Sequence, residues 1–241
     1  MKTERSKAVT FLIAFALLLG CALRLTHPES AVSAFAPARF DGETVVIDAG
    51  HGGEDGGAVS ISGAVESHIN LEIATKLDQI FGLYGVQTLM LRSSDVSLHD
   101  PQAETLREKK VSDLHNRAAM VNAADDPVLI SIHQNIYTNS RYRGAQVFYA
   151  DNDASLSLAQ ITQETLKQAL DPTNERKPTV VADSVYLMNH VECGAILVEC
   201  GFLSNEQEDA MLQTPVYQTK IAAALAGAYL RYQEGESTNA S

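Results

Sequence analysis

Two histidines and two glutamates stand at positions where they could bind a metal ion or move protons. His51 and His133 each follow a short apolar run, Glu199 ends a third such run, and Glu66 follows the glycine-rich turn after His51. Imidazole nitrogens and carboxylate oxygens are common zinc ligands, and three of them around one ion leave a fourth position open. A further carboxylate beside the ion is suited to accept and return a proton. The four residues therefore predict metal-assisted hydrolysis, and these patterns alone leave open which glutamate is the ligand.

In the stretch 45–53, an apolar run stops at Asp48, and glycines then stand on both sides of His51. Glycine lets the backbone adopt a positive φ and approach a ligand closely. A phosphate-binding turn is one alternative, but the stretch lacks the G-x-G-x-x-G spacing and a lysine, and Glu54 and Asp55 would repel phosphate. The other alternative is a turn whose histidine has no function. The residues that the other elements bring to this place decide between that alternative and a ligand-binding histidine.

Strands and helices alternate along the chain. Apolar runs predict strands over residues 44–47, 86–91, 128–132, 146–149 and 195–199, and an irregular strand over 180–187. Helical spacing and capping residues predict helices over 69–84, 113–123 and 157–170, a short one capped by Ser204, and a last one that starts at Thr214 and Pro215. The alternation predicts an α/β fold, a single domain with a mostly parallel central sheet flanked by helices. Because parallel strands end at the same edge, the two histidines and Glu199 would meet at the C-terminal edge of the strands, where such sheets bind ligands.

The N-terminal segment has the composition of an export signal. Three basic residues precede the uncharged run 8–23, which is short for a spanning helix and typical of a secretory signal. We expect a signal peptide or N-terminal membrane anchor over 1–36, a linker over 37–43, a catalytic domain over 44–233 and a flexible tail over 234–241. Cleavage after Ala36 or Ala34, lipidation of Cys21 and an uncleaved anchor all stay open.

The net charge limits the classes of possible partner, and the cysteine spacing argues against a disulfide. The chain carries a net charge of −12, and its first 36 residues contain more basic than acidic side chains, so the remainder is the acidic part. This charge argues against nucleic acid or an anionic membrane surface as a partner. Cys193 and Cys200 lie too far apart along one extended strand for a disulfide, and we expect free thiols.

Five segments together resemble a known family. They are IDAGHGG at 47–53, Glu66 with Asn70 and Leu71, LRSSD at 91–95, SIHQN at 131–135 and VECGFLSN at 198–205. In this order they resemble the zinc-dependent N-acetylmuramoyl-L-alanine amidases of bacterial cell walls, of the amidase_3 type. The resemblance runs from about Thr44 to Tyr232, which is nearly the whole part after the export signal.

The resemblance implies roles for the candidate residues. His51, Glu66 and His133 would bind one Zn²⁺ per chain, and Glu199 would be the catalytic acid and base. The substrate implied is peptidoglycan, cut at the amide between N-acetylmuramic acid and L-alanine, outside the cytoplasm in the cell wall or spore envelope. Gln134 stands where the family usually has a small residue, which would narrow the cleft without removing a ligand.

Two further residues are candidates for supporting roles. Asp48 would orient a ligating imidazole, with bracing of its loop as the alternative. Asn135 would bind substrate, again with loop bracing as the alternative. His68, close to Glu66 in the sequence, is a reserve ligand.

The polar segment 92–115 is predicted to be a long surface excursion that covers the site. Residues 95–117 resemble the germination-specific, spore-cortex branch of the family, which implies a part in muramic-δ-lactam formation together with a separate deacetylase. A zinc peptidase or deacetylase acting on another cell-wall bond is the alternative enzyme. A non-catalytic wall-binding domain is the third hypothesis, and it would have lost some of these residues. The sequence determines neither the oligomeric state nor any activating protein partner.

Overall fold

A computed structural model of the chain describes the backbone of residues 42–239 and the side chains of residues 42–235. The predicted signal or anchor and most of the predicted linker lie outside the described residues. Within the described part, no helix combines the length and apolar character that crossing a membrane requires.

The strands are β1 (Thr44–Ala49), β2 (Thr88–Met90), β3 (Pro127–Asn135), β4 (Gln146–Tyr149), β5 (Thr179–Val180) and β6 (Gly194–Phe202). They form one sheet in the order β2–β1–β3–β6–β4–β5. β1 is parallel to β2 and β3, β3 is parallel to β6, and β4 is antiparallel to β6. The predicted mostly parallel sheet is therefore confirmed.

The helices are α1 (Glu66–Tyr84), α2 (Leu106–Asn122), α3 (Asp153–Leu170), α4 (Tyr186–Asn189), α5 (Glu206–Leu212) and α6 (Pro215–Asn239). Apolar side chains of α1, α3 and α6 pack with one face of the sheet in the larger core cluster. Those of α2 and α4 pack with the other face in a smaller cluster. The predicted single α/β domain with helices on both sides is confirmed.

Some helix starts differ from the sequence expectation because other residues cap them. α2 begins at Leu106, well before the predicted residue 113, because Thr105 and Glu108 form a capping box in which each side chain accepts from the other's backbone N–H. The cap of α3 is Asn152 and not Ser157, and the cap of α5 is Asn205 and not Ser204. α1 includes Glu66, which was expected in the preceding loop. It ends as predicted at Gly85, which has a φ of 72°.

One further prediction is corrected, and the last helix extends further than the sequence pattern indicated. Residues 180–187 form a strand only as far as Val180, because the chain turns there and buries both Val181 and Leu187 in the core beside α2. The last helix runs to Asn239 and so through most of the segment predicted to be a flexible tail from residue 234. That segment has no proline, and a helix tolerates its one glycine, Gly235, at a cost of about 1 kcal/mol.

Candidate functional site

His51, Glu66 and His133 come together at the C-terminal edge of β1 and β3. Glu66 Oε1 lies 3.4 Å from His51 Nε2 and 3.1 Å from His133 Nδ1. One ligand atom from each of the three residues lies within 4.8 Å of the others. With zinc–ligand bonds of about 2.0–2.2 Å, neighbouring ligand atoms of a tetrahedral site are about 3.3 Å apart. The two imidazoles and the carboxylate therefore fit a zinc ion by both type and spacing.

Two glycines make the room that this cluster needs. A Cβ atom at Gly50 would lie 2.2 Å from the His133 ring. At Gly57, which has a φ of 71°, it would lie 2.6 Å from Glu66 Oε2 and 2.7 Å from His51 Cδ2. A side chain at either position would displace a member of the cluster, so the glycine-rich turn is required by the site itself.

Arg117 and Asp48 brace the backbone of the His51 turn. His51 has a φ of 62°, a left-handed conformation that is uncommon outside glycine. Arg117 Nη2 donates to the His51 carbonyl at 2.8 Å, and its Nη1 donates to Asp48 Oδ1. Ser131 Oγ donates to the other oxygen of Asp48 at 2.7 Å. Burial acts to raise the pKa of Asp48, but the charges of Arg117 and His133 and the hydrogen bonds from Ser131 and Arg117 together outweigh it and lower that pKa.

Asp48 thus occupies the bracing position and not the imidazole-orienting one. The carboxylate that contacts Nδ1 of His51 is that of Asp55, whose Oδ2 lies 3.1 Å away, and this leaves Nε2 to face Glu66. Sequence reasoning assigned Asp55 no such role. The available signal was an aspartate four residues after the histidine in a glycine-rich turn, which closes through backbone bonds between Gly52 and Asp55.

The site stabilises positive charge. Burial acts to lower the pKa of His51, but hydrogen bonds with Asp55 and Glu66 outweigh it and raise that pKa to about 9. The carboxylates that stabilise a proton on His51 would likewise stabilise a divalent cation between His51 and His133.

The Glu66 carboxylate is surrounded by hydrogen-bond donors. Oε2 accepts from Ala58 N at 2.8 Å, and Oε1 accepts from Gln134 N at 3.1 Å and from Asn70 Nδ2 at 3.3 Å. Burial acts to raise the pKa of Glu66, but hydrogen bonds with His133 and His51 hold it far below its usual range. Glu66 is therefore kept ionised, as a metal ligand must be.

Gln134 does not narrow the cleft as expected from the sequence. Because successive residues of a strand point to opposite faces, Gln134 points away from the side on which His133 lies. Its side chain is buried, and Nε2 donates to Asn70 Oδ1 at 3.1 Å. Gln134 therefore supports Glu66 from behind, through Asn70 and through its own backbone N–H.

Glu199 lies next to His133 across the sheet. The strand registers pair Glu199 with His133 of β3 and with Gln146 of β4, so these three residues form one row on the α2 side of the sheet. Among the described residues, the buried Glu199 Oε2 has no hydrogen-bond partner. Burial raises the pKa of Glu199 to about 7, although the charge of His133 acts to lower it. A carboxyl group with this pKa can both accept and donate a proton near neutral pH.

A cleft extends from the two histidines between α2 and the segment that leads into α4. Its α2 wall contains Lys110, Asp113 and Arg117, and its other wall contains Val185 and Tyr186. The part of the excursion predicted over residues 92–115 that borders this cleft is therefore the start of α2, whereas residues 92–105 form no helix or strand.

The remaining candidates lie outside the cluster. Leu203 N donates to the Asn135 carbonyl at 2.8 Å and so ties the ends of β3 and β6 together. His68 Nε2 bonds with Asp95 Oδ2 at 3.0 Å on the surface, away from the other ligands. Cys193 and Cys200 are free thiols, as predicted.

Comparisons with known proteins agree with this geometry. The family model of the N-acetylmuramoyl-L-alanine amidases matches residues 45–230. The germination-specific N-acetylmuramoyl-L-alanine amidase of Bacillus subtilis is 31% identical over 235 residues, which cover 95% of each chain. The amidase AmiA of Escherichia coli is 25% identical over 232 residues, covering 78% of this chain and 75% of that protein.

A solved structure shows the same architecture. The CwlD amidase from Clostridioides difficile, determined in complex with the GerS lipoprotein, matches with a TM-score of 0.77 and 36% identity. The match covers 80% of this chain and 98% of that one. From the site geometry, the family match and these relatives, the chain belongs to the N-acetylmuramoyl-L-alanine amidase family.

Proposed function

We propose that this protein hydrolyses the amide between N-acetylmuramic acid and L-alanine in peptidoglycan, with one zinc ion held by His51, Glu66 and His133. One observation carries the proposal. Three residues with zinc-type ligand atoms at suitable spacing lie beside Glu199, whose buried Oε2 has no hydrogen-bond partner in the described part of the chain and whose pKa is about 7. Membership of the amidase family supports the choice of bond.

The residues around the metal position prepare the site before substrate binds. Zinc bound there would supply Lewis acidity, which acidifies water and polarises a carbonyl oxygen. Asp55 fixes the His51 ring so that Nε2 faces Glu66. Asn70, Gln134 and Ala58 hold the Glu66 carboxylate through donated hydrogen bonds. These contacts keep the ligand atoms in place without reorganisation during the reaction.

Glu199 moves the protons. Its carboxylate would accept a proton from the attacking water as the oxygen adds to the scissile carbonyl carbon. The same carboxyl group would then deliver that proton to the alanine nitrogen as the C–N bond breaks. The products are the lactyl carboxylate and a peptide with a free L-alanine amino group. A pKa near 7 suits both transfers at neutral pH.

The test combines metal analysis with product analysis. Purified protein should contain one zinc per chain, and digested peptidoglycan should release peptides that begin with a free L-alanine amino group and leave intact lactyl groups. Mass spectrometry measures both products. Peptides cut within the stem, or glycan that has lost acetyl groups, would instead support the peptidase or deacetylase alternative.

We further infer that the protein is exported and acts on spore cortex. The relative named germination-specific in B. subtilis matches over 95% of this chain, and the segment 95–117 resembles that branch. Deletion of the gene should remove muramic-δ-lactam from cortex while vegetative growth continues, and cell fractionation should place the protein outside the cytoplasm. Normal lactam content in spores of the deletion strain would reject the cortex role, and a cytoplasmic protein that retains Met1 would reject export.

A further inference from the structure

We propose that Arg176 binds a carboxylate of the stem peptide and makes substrate recognition depend on that charge. The inference rests on the proposed function, because it names the part of a muramoyl peptide that lies beside Glu199. It is carried by three properties of the Arg176 guanidinium, which are its place beside Gln146, its fixed position and the absence of an ion pair with any described carboxylate.

The place of the Arg176 guanidinium in the site follows from the register of the strands. Gln146 of β4 lies directly opposite Glu199 of β6, on the side away from His133. Directly opposite residues of an antiparallel pair have Cβ atoms about 4.5–5.5 Å apart and share a face of the sheet. Arg176 Nη1 donates to Gln146 Oε1 at 3.0 Å. The guanidinium therefore continues the row formed by His133, Glu199 and Gln146.

The guanidinium is held in place by several contacts. Its Nε donates to the Arg143 carbonyl at 3.2 Å. Its Cζ lies 4.8 Å from the centre of the Phe202 ring and 5.7 Å from that of the Tyr142 ring. Stacking on aromatic faces and a hydrogen bond through Nε leave an arginine little freedom, so binding would cost little ordering of the side chain.

The loop that carries Arg176 is also anchored. The buried Asn174 donates from Nδ2 to the Ala145 carbonyl at 2.8 Å, and its Oδ1 accepts from Arg176 N at 3.1 Å. These bonds connect the loop to the start of β4. The position of the guanidinium is therefore set by the strand next to Glu199.

Arg176 has no acidic partner within ion-pair distance in the described part of the chain. Two other basic residues do form ion pairs, since Lys110 lies 3.2 Å from Asp55 and Arg143 lies 3.7 Å from Asp171. The hydrogen bonds of the Arg176 guanidinium use Nε and Nη1, and Nη2 has no partner among the described residues. The residue is partly exposed to solvent. Among the described residues the Arg176 guanidinium has no carboxylate within ion-pair distance, although its charge acts on the buried Glu208. In a chain with a net charge of −12, such a cation suits an anionic group of the substrate.

The chemistry of the substrate selects the peptide as the source of that anion. The sugar rings and acetamido groups of a muramoyl peptide are neutral, whereas the stem peptide beyond L-alanine carries acidic residues. A carboxylate on the residue that follows L-alanine is the nearest such group to the scissile bond. The competing explanation is that Arg176 only ties its loop to β4, which would give it no preference between substrates.

The experiment compares two synthetic muramoyl dipeptides that differ only in whether the α-carboxylate of the second residue is free or amidated. Wild-type protein should prefer the acid, with the difference in KM. R176M keeps an unbranched apolar stem but loses the charge, the stacked guanidinium and its hydrogen bonds to the Arg143 carbonyl and to Gln146. Its KM for the acid should rise roughly 10- to 100-fold, the range expected for loss of a charge-assisted hydrogen bond, while its kcat and its KM for the amide change little. R176K should recover part of the preference.

The control is R231Q, which removes one positive charge from the exposed Arg231 on α6, where it bonds with Thr165 of α3. It should keep the wild-type preference. Equal losses on both substrates in R176M would show a purely structural role and overturn the proposal, as would a wild-type enzyme that does not discriminate. If R176M does not fold by circular dichroism, R176Q takes its place in the same comparison of the two substrates. If wild-type protein releases no alanine amino group from either substrate, the proposed function fails, and that result is distinct from a loss of selectivity.

Discussion

The surroundings of Glu66 and Glu199 differ in a way that separates their roles. Both carboxylates lie beside His133, one at the start of α1 and the other on β6. Glu66 accepts hydrogen bonds from two backbone N–H groups and from Asn70, and it contacts both imidazoles. Glu199 has a buried oxygen without a partner among the described residues.

The difference shows how one cleft maintains two carboxylates in opposite states. Donors and imidazoles lower the pKa of Glu66, whereas burial without donors raises the pKa of Glu199 to about 7. A group that stays ionised suits metal binding, and a group that exchanges a proton near neutrality suits acid–base chemistry. Four predictions test this contrast, from the largest expected effect to the smallest.

The largest effect is expected from replacing a ligand. Glu66→Ala, His51→Ala or His133→Ala removes one of three protein ligands, so zinc content and activity should both fall to background. Zinc stoichiometry by elemental analysis and turnover are measured on the same preparations. A Glu66→Ala protein that keeps full zinc occupancy would show that Glu66 is not a ligand.

Replacing the other glutamate should separate rate from metal content. Glu199→Gln keeps the size of the side chain but cannot accept the proton of water. It should retain zinc and fold while kcat falls by about 10²–10⁴-fold, the usual contribution of general acid–base catalysis. Loss of zinc in this variant, or normal turnover, would contradict the roles assigned to the two glutamates.

The contrast also predicts how stability depends on pH after zinc is removed with a chelator. Burial raises the pKa of Glu199 from 4.5 to about 7, so its contribution to stability is fully present below about pH 4.5 and is lost as the pH rises through about 7. Its ionisation would cost up to about 3 kcal/mol. We therefore compare the free energy of unfolding of Glu199→Gln with that of wild type, both without zinc. The difference in favour of the variant should be larger at pH 8 than at pH 4, by up to about 3 kcal/mol. Urea denaturation at both values measures it, and a difference that is independent of pH would refute the assignment.

The smallest effect is expected at Asp55, which contacts His51 but not the metal position. Asp55→Asn keeps the shape of the turn and weakens the bond that orients the imidazole. Zinc affinity should fall by about 10- to 100-fold, and activity at saturating zinc should largely recover. A chelator competition assay gives the affinity. Asp48→Asn is the comparison variant, because Asp48 bonds with Arg117 and Ser131 and not with an imidazole. This substitution should lower the stability of the fold more than it lowers zinc affinity.

The sequence alone was sufficient for the fold class and for the residues that meet at the site. Strand ends can be recognised locally, from an apolar run that stops at a polar residue, and parallel strands bring such ends to one edge. The order of residues along the chain therefore already predicts that His51, His133 and Glu199 lie together. Glu66 was assigned its role through family resemblance, and the structure locates it in the first turn of α1.

The tertiary structure decided the properties of these groups, because they depend on partners that are distant in the chain. Arg117 reaches the His51 carbonyl across 66 positions of sequence, and Gln134 reaches Glu66 across 68. Long-range packing also decides which carboxylate contacts His51 Nδ1, and it leaves Glu199 Oε2 without a hydrogen-bond partner among the described residues. Burial and hydrogen bonding set a pKa, and neither can be read from residue types along the chain.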